Sequence, residues 1–238
     1  MLSLALISAF TNYPVQAHAR DKQDIRGLRI WFVNASKRSN LAGFDLICLY
    51  GAHGFEIFQH LFSSAANQRS YEHRASLENW SRFVNEVVSD VQDAIWDTMG
   101  LTLRVSLDES IGNLGFSNGE VRDFLEMNNN LLYLWDLAQG AWKDCSGPSR
   151  FVEDAQETLV HGIHDLTDRP SVGVGRFISP DLMVRMIKSG VLNMIGYARP
   201  LIADTFLLKK VEEGRIDYIH EFFGSNICIT GDMTLSIS

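Results

Sequence analysis

Cysteine is scarce: Cys48, Cys145 and Cys228 stand far apart among 238 residues with no CxxC pair. That spacing excludes a disulfide framework and suits a reducing compartment, so the expected location is cytoplasmic. Cations are also in short supply, with 21 Lys and Arg against 29 Asp and Glu and a formal net charge of -8. Nucleic acid needs clustered Lys and Arg and is not an expected partner. No Pro-rich or Ser-rich stretch divides the chain, which holds only 5 prolines. The apolar run Met1 to Phe10, followed by Ala17-His18-Ala19, has the outline of a secretion leader. No Lys or Arg precedes it, and it is too short to cross a bilayer. Residues 1–20 are therefore expected to be an apolar leader and loop, and no membrane partner is expected. What remains, 46% hydrophobic and 21% charged residues, is the makeup of a globular protein.

From Asp21 onward helical and strand patterns alternate. Ile25, Leu28, Phe32 and Ala35 recur at helical spacing behind Asp21 as N-cap, which predicts a helix over 22–41. Phe44 to Tyr50 is a short apolar run of the kind that makes a buried strand. Leu77, Trp80, Val84, Val87, Val88, Val91 and Ile95 form an apolar helical stripe behind Ser76. Leu101 to Leu107 reads as the next strand, and Ser117 with Glu120 as a capping box opening a helix. Leu131 to Leu137 is a further strand, and Leu159, Ile163 and Leu166 mark a helix. Ser171 to Gly175 is the next strand, and Ser179-Pro180 opens a helix that Gly190 ends. Leu192 to Gly196 reads as a last strand before a helix from Ile202 to Glu213 that stops at Gly214. About five strands alternating with helices imply βαβ units and a parallel sheet. An open doubly wound sheet and part of a closed barrel both fit. The lack of GxGxxG after the first strand weighs against a nucleotide-binding doubly wound fold.

Gly173-Val174-Gly175-Arg176 lies at an expected strand end and leads to the helix start at Ser179. Bare glycines there admit main-chain N–H groups to an anion, and the helix start adds partial positive charge. Gly196-Tyr197-Ala198-Arg199-Pro200 repeats the design one unit later. Phosphate sites built by the loops after the last two strands are a habit of (β/α)8 barrels. Tight strand-to-helix turns with solvated arginines are the alternative reading of the same residues. Tyr50 and His53, three residues apart at a strand end, can face one ligand as hydrogen-bond donors or proton carriers. Arg104 lies inside an apolar strand, where a buried guanidinium needs an anionic or carbonyl partner. Asp136 is either a functional carboxylate or a helix cap or loop anchor.

Together these segments resemble the old yellow enzyme class of NADH:flavin oxidoreductases, most closely its trimethylamine and dimethylamine dehydrogenase branch. The matching stretches are Ala42-Gly43-Phe44-Asp45, Tyr50-Gly51-Ala52-His53-Gly54, Asn67-Gln68-Arg69, Ser76-Leu77-Glu78-Asn79 and Trp135-Asp136-Leu137. Gly147-Pro148-Ser149-Arg150-Phe151, Gly173-Val174-Gly175-Arg176-Phe177 and Ala198-Arg199-Pro200 complete the set, and the match runs from about Tyr13 to the C-terminus. The resemblance implies an α/β fold, a partial (β/α)8 TIM barrel over residues 21–238. It would hold about strands four to eight with their helices, the first three strands being missing. It implies an FMN-dependent oxidoreductase acting on a small molecule such as an amine. Arg104 would lie against the flavin ring, and Gly173, Gly175, Arg176, Gly196, Ala198 and Arg199 would hold the FMN phosphate. Tyr50 and His53 match the substrate-facing pair, and Asp144 a third substrate-site acid whose spacing to Gly147 is shifted by one residue. No metal ligand set is implied for this chain.

Departures from the family pattern carry their own expectations. Phe55 stands where many members place a proton-donating tyrosine, and it has no acidic hydrogen to give. His73-Arg74-Ala75 replaces a glycine turn, and Trp80 a closing arginine. The branch's C-x2-C-x2-C run for a [4Fe–4S] cluster reads Phe222-Phe223-Gly224-Ser225-Asn226-Ile227-Cys228 here. One thiolate, Cys228, cannot hold four irons, so no cluster is expected. Five strands without three partners leave two open edges. The isolated chain is then expected to bind FMN weakly or not at all, and to associate with itself or with a complementing chain. The alternatives are a catalytically inactive truncated remnant, or a non-catalytic binding module that needs a partner chain.

Overall fold

A computed structural model of the protein describes residues 20–53, 57–58, 77–95, 98–109, 116–140 and 155–223. Strands β1 (Leu46–Gly51), β2 (Gly100–Ser106), β3 (Leu134–Ala138), β4 (Ser171–Gly173) and β5 (Met194–Ile195) form one five-stranded sheet in sequence order. Every pairing is parallel. The order decides between the two architectures left open above. A doubly wound sheet reverses its strand order at a switch point, whereas sequential order with right-handed crossovers sets every helix on one face, as in a (β/α) barrel.

The helices bounded within the described residues are α1 (Lys22–Leu41), α2 (Leu77–Ile95), α3 (Asn118–Met127), α4 (Glu157–Val160), α5 (Pro180–Lys188), α6 (Arg199–Ala203) and α7 (Leu207–Glu212). Short 3-10 turns cover Ile163–Asp165 and Ile216–Tyr218. Of the expected helix starts, Asp21 and Ser117 cap with their side chains, Ser179 stands at the N-cap of α5 without a side-chain cap bond, and Ser76 lies outside the described residues. Asp21 Oδ1 accepts from the N–H groups of Gln23 and Asp24 at 2.7 and 2.8 Å, and Asp24 returns a bond to the Asp21 N–H. Ser117 and Glu120 make the expected reciprocal box at the start of α3.

The differences from the sequence pattern have local causes. The Leu131 N–H bonds back to the Asn128 carbonyl at 2.9 Å, so that strand starts only at Leu134. The helix expected through Leu159, Ile163 and Leu166 breaks at Gly162, whose φ of 76° lies in the left-handed region open to glycine. The helix expected from Ile202 to Glu213 divides at Asp204. Its carboxylate accepts from the Phe206 N–H at 3.0 Å and from Lys210 Nζ at 2.6 Å, separating α6 from α7.

The core lies between sheet and helices. Val84, Val87, Val88 and Val91 from α2 pack with Leu49, Leu101, Leu103 and Val105 from β1 and β2, all buried. Trp135 meets Phe124 of α3 edge-on with centroids 6.0 Å apart, and Phe58 bridges Phe32 and Phe83 at 5.0 and 5.4 Å. On the outer side α1 is tied to α2 through Arg29, which reaches Asp90 at 2.6 Å and Glu86 at 2.9 Å.

Candidate active site

Period-two alternation sends Leu101, Leu103 and Val105 toward the helices and leaves Thr102, Arg104 and Ser106 on the opposite face of β2. Register extends that face across the sheet. Tyr50 pairs with Arg104, Arg104 with Asp136, Asp136 with Val172 and Val172 with Met194. Three residues singled out separately from the sequence thus stand side by side in one row. Arg104 is half-buried, and its partner is Asp136, with Nη1 3.2 Å from Oδ2. The pair does not satisfy itself: Arg104 Nε and Asp136 Oδ1 are buried with no hydrogen-bond partner among the described residues. Burial raises the Asp136 pKa above the usual carboxylate value, and the Arg104 charge pulls it back only in part.

His53 follows the end of β1 with a φ of 63°, a conformation uncommon for a residue with a Cβ. Its Nδ1 shares a hydrogen with Tyr50 Oη at 2.6 Å, and the two rings stack with centroids 6.0 Å apart. Its main-chain N–H donates to Ser106 Oγ at 2.9 Å. Burial, then the charges of Arg104 and Arg199, push the imidazole pKa down to about 4. The ring is therefore neutral near pH 7, and its tautomer sets which of Tyr50 and His53 donates.

Arg176 and Arg199 follow β4 and β5 at the same end of the sheet. Arg176 holds a φ of 60°, and the Arg199 guanidinium lies 5.4 Å from the Phe222 ring centre. The neighbouring glycines are required by packing. A Cβ on Gly173 would come within 2.3 Å of Leu192 Cδ1, and one on Gly196 within 2.9 Å of Val174 Cγ1. The Gly196 N–H bonds to the Gly173 carbonyl at 2.8 Å, and the Val174 N–H to Gln156 Oε1 at 3.3 Å. Those two amides are committed within the protein.

Asp144, Phe55, Cys145, Cys228 and the stretches Asn67 to Arg69, His73 to Ser76 and Gly147 to Phe151 lie outside the described residues, as do Met1 to Phe10 and Ala17 to Ala19. Among the described residues no three His, Cys, Asp or Glu side chains cluster as metal ligands would. Two polar residues at this end of the sheet escaped the sequence reading. Ser106 shares the face of Arg104 two positions earlier, so period-two extension could have found it. Glu109, 3% exposed, had no pattern to flag it.

A sequential parallel sheet carrying a Tyr-His pair, an inward arginine and two arginines past its last strands can be compared with known proteins. The family model of NADH:flavin oxidoreductase / NADH oxidase matches residues 5–218. The chain belongs to that family. Dimethylamine dehydrogenase of Hyphomicrobium sp. (strain x) is 36% identical over 219 residues, covering 90% of this chain and 30% of that protein. NADH oxidase of Thermoanaerobacter brockii is 30% identical over 84% of this chain and 31% of its own length. The solved structure of histamine dehydrogenase from Rhizobium sp. 4-9 superposes with a TM-score of 0.88 at 68% identity, over 95% of this chain and 33% of that one. The chain thus spans about a third of the length of these relatives. The family is one of flavin-dependent oxidoreductases of the old yellow enzyme type, and amine dehydrogenases are among its similar members. No helix among the described residues is long and apolar enough to cross a membrane.

Proposed function

We propose that residues 21–238 form the substrate-facing and phosphate-binding part of an FMN-dependent oxidoreductase that oxidises a small amine. The row of Tyr50, Arg104 and Asp136, with His53 closed onto Tyr50 at 2.6 Å, is the observation that carries this reading. FMN fits the residues present. Arg104 offers a buried Nε with no partner among the described residues, on the face where a flavin ring would lie. Arg176 and Arg199 supply charge beyond β4 and β5 for its phosphate, alongside Gly175 and Ala198, while Gly173 and Gly196, joined to each other by a main-chain bond, shape the loops that carry them. When bound, FMN would supply the two-electron acceptor. The chain's own part is to bind and orient the amine through Tyr50 and His53, the neutral imidazole presenting one N–H donor and one acceptor nitrogen near pH 7. Asp144 is carried in this reading as a third substrate-site acid, and Cys228 alone gives no basis for an iron–sulfur cluster. Three cysteines without a CxxC pair support a reducing, cytoplasmic setting.

The barrel is read as partial, about strands four to eight. Among the described residues β1 and β5 are the edges of the sheet, and exposed apolar side chains flank both: Leu46 and Phe44 at one, Met194 and Ile202 at the other. That favours completion by a complementing chain or by self-association over a self-sufficient enzyme. It also supports the second reading, a catalytically inactive remnant or a non-catalytic binding module in need of a partner. Visible absorbance of the purified chain, alone and after mixing with FMN, separates the readings. A flavin spectrum that is about 10- to 100-fold harder to saturate in Arg199→Ala supports the enzyme. A colourless chain that takes up no FMN overturns it for the isolated chain.

A further inference from the structure

We propose that Ser106 is a positioning residue: its single hydroxyl fixes His53 against Tyr50 by joining the ends of β1, β2 and β3. The inference deepens the proposed function, since it takes Tyr50 and His53 as the substrate-facing pair. Ser106 is the last residue of β2 and is fully buried. Its Oγ accepts the His53 N–H at 2.9 Å and lies 3.2 Å from the Gly140 carbonyl, to which it donates. A hydroxyl both accepts and donates, and here both capacities are used at once. Gly140 is anchored in turn, its N–H bonding to the Asp108 carbonyl at 2.8 Å. The arrangement matters because His53 holds a left-handed φ of 63°, which a residue with a Cβ keeps only when its surroundings impose it. The bond from Ser106 falls on the main chain of the strained residue itself. The imidazole then closes on Tyr50 Oη, three residues back on β1.

The charged and titratable groups facing the His53 ring are Tyr50 on β1, Arg104 on β2 and Arg199 on α6, with Asp136 on β3 behind Arg104. Freed from Ser106, the ring would move toward water and away from the two arginines. Both changes favour its protonation.

The test follows the His53 imidazole by NMR across pH in the 238-residue chain without flavin or substrate, with His53→Gln assigning the signal. In the parent the ring stays neutral until about pH 4. Ser106→Ala is expected to raise the midpoint by about one pH unit or more, tenfold in proton affinity, and Ser106→Thr to restore it. An unchanged midpoint in a folded Ser106→Ala overturns the proposal. Amide exchange at His53 in the parent covers the case in which Ser106→Ala does not fold. Protection there supports the clamp, and exchange at the rate of an open amide overturns it. Neither readout uses FMN, so failure of the chain to take up flavin would sink the enzyme reading without touching this one.

Discussion

Glu109 and Phe116 hold each other by two bonds across seven positions of the chain. The Phe116 N–H donates to Glu109 Oε2 at 2.9 Å, and the Glu109 N–H donates to the Phe116 carbonyl at 3.2 Å. The carboxyl is buried just beyond β2, and burial, aided by Asp108, pushes its pKa up to about 7 against the bond from Phe116. A raised pKa in the folded state means that this group's contribution is fully present below its ordinary value near 4.5 and is lost as pH rises through 7. Glu109→Gln keeps an acceptor for Phe116 and cannot ionise. Its stability relative to the parent should improve between pH 4.5 and 7.5 by up to about 3 kcal/mol, read from urea unfolding at the two pH values. A gap that does not change with pH would show that the carboxyl is not held protonated.

His53 works in the opposite direction. Its folded pKa of about 4 lies below the ordinary 6.5, so the unfolded chain takes up a proton first as pH falls. The contribution is present above 6.5 and is lost on the way down to 4. His53→Gln removes that penalty, and its stability relative to the parent should gain up to about 3 kcal/mol between pH 7 and pH 4. The two variants therefore give mirror-image pH profiles. Parallel profiles would contradict the assignment of either group.

The glycines at and just past the end of β4 differ in what surrounds them, and that difference is measurable. A Cβ on Gly173 would sit 2.3 Å from Leu192 Cδ1, in a buried side chain that must leave its rotamer to make room. A Cβ on Gly175 would sit 3.3 Å from Gln156 Cγ, a shortfall of a few tenths of an ångström. Gly173→Ala should cost about 1–3 kcal/mol, and Gly175→Ala clearly less. Equal losses in thermal unfolding would argue against packing as the reason for glycine at 173.

Much of this was legible in the primary structure because it is local or periodic. The N-cap at Asp21 and the box at Ser117 are each set within three residues of the chain. The strands carry β-type apolar runs, and the row of Tyr50, Arg104 and Asp136 follows once parallel register is assumed. Contacts between distant segments were not legible. Nothing in the stretch around Ser106 announces that its hydroxyl serves a histidine 53 positions away. The sequence suggested that Gly173 and Gly196 are bare so that an anion can approach. The structure places Leu192 and Val174 where their side chains would be, a constraint that only packing reveals.

Asp204 makes the last case, because it connects a turn to the candidate phosphate site. Its carboxylate accepts from Lys210 Nζ at 2.6 Å and from the N–H groups of His220 at 2.9 Å and Phe206 at 3.0 Å. Lys210 also reaches the Tyr218 carbonyl at 2.7 Å. The bond from Lys210, followed by that from His220, holds the Asp204 pKa down to about 2. A depressed carboxylate contributes above its ordinary 3.8 and loses that contribution as pH falls through 2, so the knot is intact across the neutral range. The knot ties residues 216–220 back onto the turn between α6 and α7. Two residues after His220 comes Phe222, the ring 5.4 Å from the Arg199 guanidinium. Asp204→Ala should therefore loosen the segment from α7 to Phe222 and free Arg199 from its aromatic support. The expected result is at least about tenfold faster amide exchange at His220, with exchange in β2 and β3 unchanged. If His220 stays as protected as in the parent, Asp204 is not what holds that segment, and the orientation of Arg199 must be set elsewhere.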